Sequence, residues 1–247
     1  MNHSMNQTIC NKIMNEALSR SDVLNDLVRS YRIFGALGWG DLGDGHISAR
    51  DPEHKECFWL LRSGVPFTKA TVDDLVLLDQ SGNTVFGEGG VNSPAFNIHC
   101  PIFIARTDLN AAAHTHTPWG TPFSAEVRPI LPITQEACIF VDDCALFDDE
   151  EVQIRALDGG TRIAQCLGHK HAIILRNHGL LTAGVSVPSA VVRFVTLERV
   201  AETHLKVQNP VPISDVSAKQ AQDGLFRESR VRAKFEYLAQ FHGIEDS

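Results

Sequence analysis

Residues 111–118, Ala-Ala-Ala-His-Thr-His-Thr-Pro, constrain the fold of this chain more than any other stretch. Alternate side chains of a β-strand project to the same face, so His114 and His116 would lie within reach of one ion. The three alanines suit a strand packed beneath a helix, and Pro118 ends regular pairing. Neutral imidazole is a common ligand of zinc, manganese and iron. Because two histidines alone do not fix a metal, the predicted strand requires a further ligand elsewhere in the chain.

A second histidine motif follows an apolar segment later in the chain. Residues 173–175 are Ile-Ile-Leu, which is typical of a buried strand, and Arg176, Asn177, His178 and Gly179 come directly after them. A histidine at the end of a buried strand is held on a rigid scaffold, and the glycine lets the backbone turn away. His178 is therefore the candidate third ligand, although the residues alone leave an ordinary hydrogen-bonded role open for each histidine.

The composition is that of an ordinary globular protein. Of the 247 residues, 43% are hydrophobic and 21% are charged, which favours one domain with a substantial core. The net charge of −8 argues against nucleic acid and anionic membranes as partners. No apolar run approaches the length of a membrane span, and residues 1–11 lack the apolar core of a signal peptide. The cysteines include no Cys-x-x-Cys pair, as expected of reduced thiols, so we predict a cytoplasmic protein.

Apolar spacing and turn residues predict a mixture of helices and strands. The predicted helices are 22–37, with Ser21 as its N-cap, then 93–106, 160–167 and 189–207, and the polar tail 214–243 is expected to be helical and peripheral. The predicted strands are a short one after the glycine-rich turn that begins at residue 40, then 58–61, 74–79, 84–86, 108–116, 130–133, 139–140 and 172–175. These elements do not alternate strictly, so we predict the α/β class with a mixed or largely antiparallel sheet.

The domain organisation follows from the same pattern. We predict an N-terminal arm over residues 1–20, one domain over 21–208, and a helical C-terminal extension over 209–247. The extension begins at Asn-Pro-Val-Pro, which breaks the preceding helix. It is expected to pack on the domain or on a neighbouring subunit.

Both histidine motifs match those of a known family. The strings Asn-Ala-Ala-Ala-His-Thr-His-Thr-Pro-Trp-Gly-Thr (110–121) and Ala-Ile-Ile-Leu-Arg-Asn-His-Gly-Leu-Leu-Thr-Ala-Gly (172–184) resemble the class II aldolase/adducin head family. The resemblance runs from about Val23 to Val207 and includes Gly-His-Ile-Ser (45–48) and Arg-Ser-Gly-Val-Pro (62–66). It implies a three-layer α/β/α sandwich with a central, mainly antiparallel sheet, usually assembled as a tetramer with active sites between subunits.

The resemblance also implies a metal site and a substrate pocket. His114, His116 and His178 would be the ligands of a divalent ion, with zinc as the expected ion and manganese or iron as alternatives. The substrate-binding residues carried over are His46, Ser63, Gly64 and Ser93. Two of these positions depart from the family pattern, because the family's Gly-Asn-x-Ser becomes Gly45-His46-Ile47-Ser48 and its Ser-Ser pair becomes Ser93-Pro94. Whether the substrate is phosphorylated is therefore open.

The catalytic residues depart further from the sugar-phosphate aldolases. Their proton-transferring glutamate is replaced here by Ala95, four residues before His99, and alanine can neither take a proton nor bind a cation. A tyrosine that some aldolases contribute from the neighbouring subunit falls at Gln135, beside Glu136. We predict that Glu136 replaces the missing base and that Gln135 donates a hydrogen bond to substrate; a solvated carboxylate is the ordinary alternative for Glu136. His99 is expected to be a packed helix residue.

Three functions remain open from the sequence. The first is a metal-dependent lyase, aldolase-like or decarboxylase-like, acting on a small oxygenated carbonyl or carboxylate substrate through a metal-stabilised enolate. The second is a mononuclear non-haem iron oxygenase on the same three histidines, since the Ala-for-Glu pattern is also similar to branches that decarboxylate pyridine dicarboxylates or use oxygen in aminocoumarin pathways. The third is a non-catalytic interaction module like the adducin heads, although a scaffold does not require intact metal ligands.

Overall fold

An eight-stranded sheet forms the centre of this computed structural model, which describes residues 19–245. The strands are β1 (His46–Arg50), β2 (Phe58–Leu61), β3 (Leu75–Leu78), β4 (Thr84–Phe86), β5 (Ala111–Thr115), β6 (Cys144–Phe147), β7 (Ala172–Leu175) and β8 (Gly179–Gly184). Their order across the sheet is β4-β3-β2-β1-β5-β8-β7-β6. Every neighbouring pair is antiparallel except β6 and β7, which are parallel. The predicted α/β class with a mainly antiparallel sheet is confirmed.

Helices cover both faces of this sheet. They are α1 (Arg20–Ala36), α2 (Ser93–Ala105), α3 (Gly120–Ser124), α4 (Leu157–Leu167), α5 (Val187–Lys206), α6 (Asp215–Leu225) and α7 (Glu228–Phe241). Buried side chains of α1, α5 and α7 form one core with Ala111 and Ala113, whereas those of α2 and α4 form a second core with Ala112. Successive residues of β5 thus face opposite cores, as strand geometry requires, and the molecule has three layers.

Small residues let the helices of the second core approach closely. A Cβ added to Gly160 of α4 would lie 1.8 Å from the Asn97 carbonyl oxygen of α2. Only glycine allows this crossing, which fixes α2 against the sheet despite Pro101 within the helix. This crossing positions His99, which lies on α2, against strand β1.

Two of the predicted strands are wrong. Residues 130–133 are irregular, and 139–140 belong to a 3₁₀ helix, Glu136–Phe140, that buries Ile139 and Phe140. A short apolar run indicates burial but does not distinguish a strand from a turn of helix. The edge strand in this part of the chain is instead β6, which the sequence analysis missed and which pairs with β7.

The C-terminal tail is only partly peripheral. Helix α7 buries Val231, Phe235 and Ala239 in the same core as α5, so the expectation of a peripheral tail is wrong for this helix. Its charged residues also pair with α1: Arg232 binds Asp26 at 2.7 Å. The apolar positions of α7 are spaced for one buried face, a pattern that its high polar content obscured. None of the described helices has the length and apolar character needed to cross a bilayer.

The N-cap of α1 is Ser19 rather than Ser21. The Ser19 hydroxyl accepts from the Asp22 amide at 3.2 Å, and the Asp22 carboxylate accepts from the Ser19 amide at 3.1 Å. We expect Ser19→Ala to lower the free energy of unfolding by about 1 kcal/mol, because the Asp22 amide at the helix start loses its side-chain acceptor and the Asp22 carboxylate loses the hydroxyl that donates to it. Ser21→Ala should change it by less than about 0.5 kcal/mol. Urea unfolding of the two variants measures the difference, and equal losses would contradict the assignment.

Candidate metal centre

Three histidines from two neighbouring strands meet at one end of the sheet. His114 is in β5, His116 follows that strand, and His178 lies in the turn between β7 and β8. Each offers a ligand atom, and these atoms all lie within 4.8 Å of one another. The antiparallel pairing of β5 with β8 brings the third histidine to the first two. The structure therefore brings together the three residues that the sequence analysis expected to ligate a metal.

Two of the three imidazoles are oriented by fixed hydrogen bonds. His114 Nδ1 donates to the Leu180 carbonyl oxygen at 2.7 Å, and His116 Nδ1 lies 2.8 Å from Asp44 Oδ2. Such partners select the tautomer and leave the other ring nitrogen, Nε2, free for an ion. The second oxygen of Asp44, Oδ1, is buried without a hydrogen-bond partner in the described chain, so one acceptor remains available close to the histidines. This donor set fits a divalent ion such as zinc, manganese or iron.

Burial keeps these histidines in the form that binds metal. Burial, followed by the charge of His178, holds the pKa of His114 well below its ordinary value. Burial, followed by the charge of His116, lowers the pKa of His178 to about 4. Both imidazoles are neutral at physiological pH, as metal ligation requires.

Gly45 places two polar residues beside the metal centre. Its φ is +88°, and a Cβ there would lie 2.3 Å from the Thr115 hydroxyl oxygen. No other residue fits this position, because both the backbone conformation and the contact require glycine. The tight turn sends Asp44 to His116 and starts β1 at His46, which is paired in register with His114 of β5.

A buried carboxylate of α5 fixes the loop that follows His116. Glu198 accepts hydrogen bonds from the Thr117 hydroxyl at 2.6 Å and from the amides of Trp119 and Gly120 at 2.9 and 2.7 Å. Burial raises the pKa of Glu198, although these donors act in the opposite direction. The sequence analysis missed this residue; a lone glutamate on an apolar helical face was the signal that could have found it.

His46 belongs to a buried chain of hydrogen bonds. Its Nδ1 lies 3.0 Å from Nε2 of His99, whose Nδ1 lies 2.6 Å from the Ser48 hydroxyl oxygen. Burial, followed by the charge of His99, holds the pKa of His46 well below its ordinary value, and burial lowers the pKa of His99 to about 3. His99 is packed in α2, as expected, but it also contacts a substrate-pocket residue.

The metal centre opens into two adjoining cavities. The smaller, of about 470 Å³, is lined by the three histidines and by Asp44, and the larger is about 830 Å³. The two cavities share four lining residues, and we refer to them together as the cleft: Gly45, His46, Asn92 and Pro94. The larger cavity is also lined by three residues predicted to bind substrate, Ser63, Gly64 and Ser93, and by Ala95.

The predicted catalytic pair lies elsewhere in this chain. Gln135 and Glu136 are exposed residues at the start of the 3₁₀ helix Glu136–Phe140, and in the described chain they line neither cavity. A role for them in a site shared with a neighbouring subunit stays a prediction.

Comparisons with known proteins connect this geometry to one family. The sequence profile of the class II aldolase and adducin N-terminal domain matches residues 25–205. The solved structure of L-fuculose 1-phosphate aldolase from Glaciozyma antarctica PI12 superposes with a TM-score of 0.83 at 34% identity, over 92% of each chain.

Two curated relatives are more similar in sequence. Decarboxylase NovR of Streptomyces niveus is 42% identical over 70% of this chain and 65% of its own length. The 4-hydroxy-3-prenylphenylpyruvate oxygenase/4-hydroxy-3-prenylbenzoate synthase of Streptomyces roseochromogenus subsp. oscitans is also 42% identical, over 70% of this chain and 64% of its own length. The match thus spans less than two thirds of either relative, and their names describe different reactions.

Proposed function

This chain belongs to the class II aldolase and adducin N-terminal domain family, and on that premise we propose that it is a metal-dependent lyase that removes a carboxyl group from a small oxygenated substrate. The observation that carries the proposal is the intact cluster of His114, His116 and His178 at the floor of an open cleft. Decarboxylation and aldol cleavage both need a centre that stabilises the enolate left when a carbon–carbon bond breaks.

The residues present favour decarboxylation over aldol cleavage. The three histidines would hold the ion, and a divalent ion there supplies a Lewis acid that polarises a carbonyl or carboxylate oxygen. Aldol cleavage also needs a group that takes the hydroxyl proton of the substrate, and Ala95 stands where the aldolases carry that group. Loss of CO₂ from a 3-oxo carboxylate needs no such proton acceptor: the bond to the carboxylate carbon breaks, its electron pair enters the enolate of the neighbouring carbonyl, and a proton from solvent or from a neighbouring acid completes the product.

The cleft has room for a substrate that extends well beyond the carboxylate group that reacts. With the carboxylate end near the histidines, the remainder extends past His46 toward Ser63, Gly64 and Ser93 in the larger cavity. We further propose a homotetramer in which Gln135 and Glu136 of a neighbouring subunit complete the cleft. In that arrangement Glu136 serves as the acid that protonates the enolate after CO₂ leaves, and Gln135 as a hydrogen-bond donor. Zinc is the expected ion, and a cytoplasmic location is part of the same proposal.

The alternative function is a mononuclear iron oxygenase. It is supported by the relative named 4-hydroxy-3-prenylphenylpyruvate oxygenase/4-hydroxy-3-prenylbenzoate synthase, which is as similar as the relative named a decarboxylase. Three histidines leave open positions on an ion, so this donor set also suits oxygen chemistry at iron. A non-catalytic module like the adducin heads is the third possibility, and the intact, hydrogen-bonded histidine cluster argues against it.

Metal analysis and gas measurements on the same preparation test these functions. We expect about one zinc or manganese ion per chain in protein purified without added metal. In a panel of 3-oxo carboxylates, CO₂ release above the rate without protein should be equal under nitrogen and in air. Bound iron with oxygen uptake that matches substrate consumption would establish the oxygenase instead. Failure to bind zinc, manganese or iron after incubation with each would exclude both enzymes and leave the interaction module.

A further inference from the structure

We infer that His46 presents a fixed N–H donor, at Nε2, to the substrate cleft, and that Ser48 and His99 are positioning residues that impose this tautomer. The inference concerns how the atoms of this chain are arranged. Its use in catalysis rests on the proposed function, because the donor would face the oxygen that becomes negative when CO₂ leaves.

The three side chains form a linear chain that is closed to solvent at one end. Ser48 and His99 are fully buried, and His46 is 4% exposed. The Ser48 hydroxyl contacts His99 Nδ1, and His99 Nε2 contacts His46 Nδ1. Only Nε2 of His46 remains, and His46 lines both cavities of the cleft. The chain of hydrogen bonds therefore begins in the core and ends at the substrate cleft.

The direction of these hydrogen bonds follows from the hydroxyl hydrogen of Ser48. Within residues 19–245 the hydroxyl has one side-chain contact, His99 Nδ1, and no other acceptor for its hydrogen. A buried hydroxyl without an acceptor is energetically costly, so Ser48 donates to His99. His99 Nδ1 is then the acceptor, so the ring hydrogen of His99 is on Nε2 and is donated to His46 Nδ1. The hydrogen of His46 must therefore be on Nε2.

The opposite arrangement would give His46 a different chemical role. If His46 donated from Nδ1, its Nε2 would carry a lone pair and could take a proton from substrate. That arrangement requires His99 to donate to Ser48 and leaves the buried hydroxyl hydrogen without an acceptor. The inferred arrangement satisfies every polar hydrogen of the three side chains except the one aimed into the cleft, which is available to a ligand.

A neutral N–H donor in this place stabilises an anionic oxygen. The ring of His46 lies 5.0 Å from that of His114, centroid to centroid, so its free nitrogen serves the same end of the substrate as the metal centre. Preorganised donors aimed at developing negative charge are among the largest contributions to catalysis. In the inferred tautomer His46 has no lone pair at Nε2, so it cannot act as the base that is missing at Ala95. The substrate class is therefore narrowed to carboxylates whose cleavage requires a hydrogen-bond donor to the oxyanion rather than a proton acceptor.

Nitrogen NMR of histidine-labelled protein reads the tautomer directly. Long-range proton–nitrogen correlations distinguish Nδ1–H from Nε2–H imidazole, and comparison with the His46→Gln variant assigns the signal. We expect His46 and His99 in the Nε2–H form at neutral pH, both without added metal and with one equivalent of zinc. In Ser48→Ala the acceptor at His99 Nδ1 loses its donor, so the His46 signal should shift toward the Nδ1–H form.

A matched buried hydroxyl provides the control. Thr182 is fully buried and donates to the Ala190 carbonyl oxygen at 2.7 Å on the other side of the sheet. Thr182→Val should leave the His46 signal unchanged even if it destabilises the fold as much as Ser48→Ala. An Nδ1–H signal for His46 in the unmodified protein would overturn the inference, as would a spectrum that Ser48→Ala leaves unchanged. The readout does not depend on turnover, so a failed decarboxylase assay would count against the proposed function alone.

Discussion

Replacing His114 by alanine should leave the purified protein without bound metal and abolish turnover of the best carboxylate substrate. His114 is 2% exposed, and its hydrogen bond to the Leu180 carbonyl oxygen aims Nε2 at the other two histidines. Loss of a supporting hydrogen bond costs a metal site roughly 10–100-fold in affinity or activity, and loss of a ligand itself should cost more. Metal content by mass spectrometry and kcat/KM on one preparation measure both effects.

His171 provides a matched control for this variant. His169 and His171 repeat the His-x-His spacing, and His171 Nδ1 lies 2.8 Å from an Asp143 carboxylate oxygen, as His116 does from Asp44. In the described part of the chain no third ligand lies close to both His169 and His171. The group there that could hold a metal ion is the one that contains His114. His171→Ala should therefore retain the metal and the activity. Equal metal loss in both variants, or full metal content in His114→Ala, would contradict the assignment of the metal centre.

The comparison of His114 with His171 also shows what a local pattern can and cannot predict. Period-2 spacing predicted that His114 and His116 share one face of a strand, and the strand is present as β5. The same spacing at 169–171 falls in a turn before β7, where the rule does not apply. Whether His178 meets the pair depends on β5 pairing with β8, a contact between distant parts of the chain. The family resemblance supplied this contact, because the residues alone left it open.

Local sequence patterns could not predict the hydrogen-bond partners of the residues that support the site, for the same reason. His46 and His99 are 53 positions apart, and Thr117 and Glu198 are 81 positions apart. In each pair the two polar residues come from different layers of the sandwich. The residues next to either one in the sequence therefore do not indicate which partner it will have. A buried polar residue does predict that a partner exists, although it does not say which one.

The errors in secondary structure have a related cause. Residues 139–140 are apolar because Ile139 and Phe140 are buried, but the burial comes from a 3₁₀ turn rather than a strand. In α7 the polar composition concealed three buried positions, Val231, Phe235 and Ala239, whose partners are on α1 and α5. The apolar run at 139–140 thus indicated burial but not the backbone conformation, whereas in α7 the helix was predicted and its burial was not.

Acid should unfold the metal-free protein at an unusually mild pH. Burial is the main cause that lowers the pKa values of His46, His99, His114 and His178 below the ordinary 6.5. A base with a lowered folded pKa contributes stability that is complete above the unfolded pKa and is lost as pH falls below it. Each such histidine therefore removes about 1.4 kcal/mol per pH unit, since the unfolded chain binds a proton that the folded chain does not.

The size of this loss follows from His99 and His178. The pKa values of His99 and His178 fall to about 3 and about 4, so together they should cost about 5 kcal/mol by about pH 4.5. That is comparable to the whole stability of a typical domain, about 5–15 kcal/mol, and His46 and His114 add to it. Urea unfolding at a series of pH values, with chelator present, measures the slope.

A single buried histidine can be separated from the rest of this titration. In His99→Gln the slope of unfolding free energy against pH should decrease by about 1.4 kcal/mol per pH unit between about pH 6 and about pH 4, because one fewer proton is taken up on unfolding. His169→Gln, at an exposed position, controls for removing a histidine from the chain. If His99→Gln and His169→Gln gave the same slope as the unmodified protein, His99 would not be held neutral in the fold. The sandwich thus holds neutral imidazoles at an energetic cost that appears only in acid. Bound metal adds its binding free energy to the folded state but leaves that cost in place, because ligation requires the same neutral form.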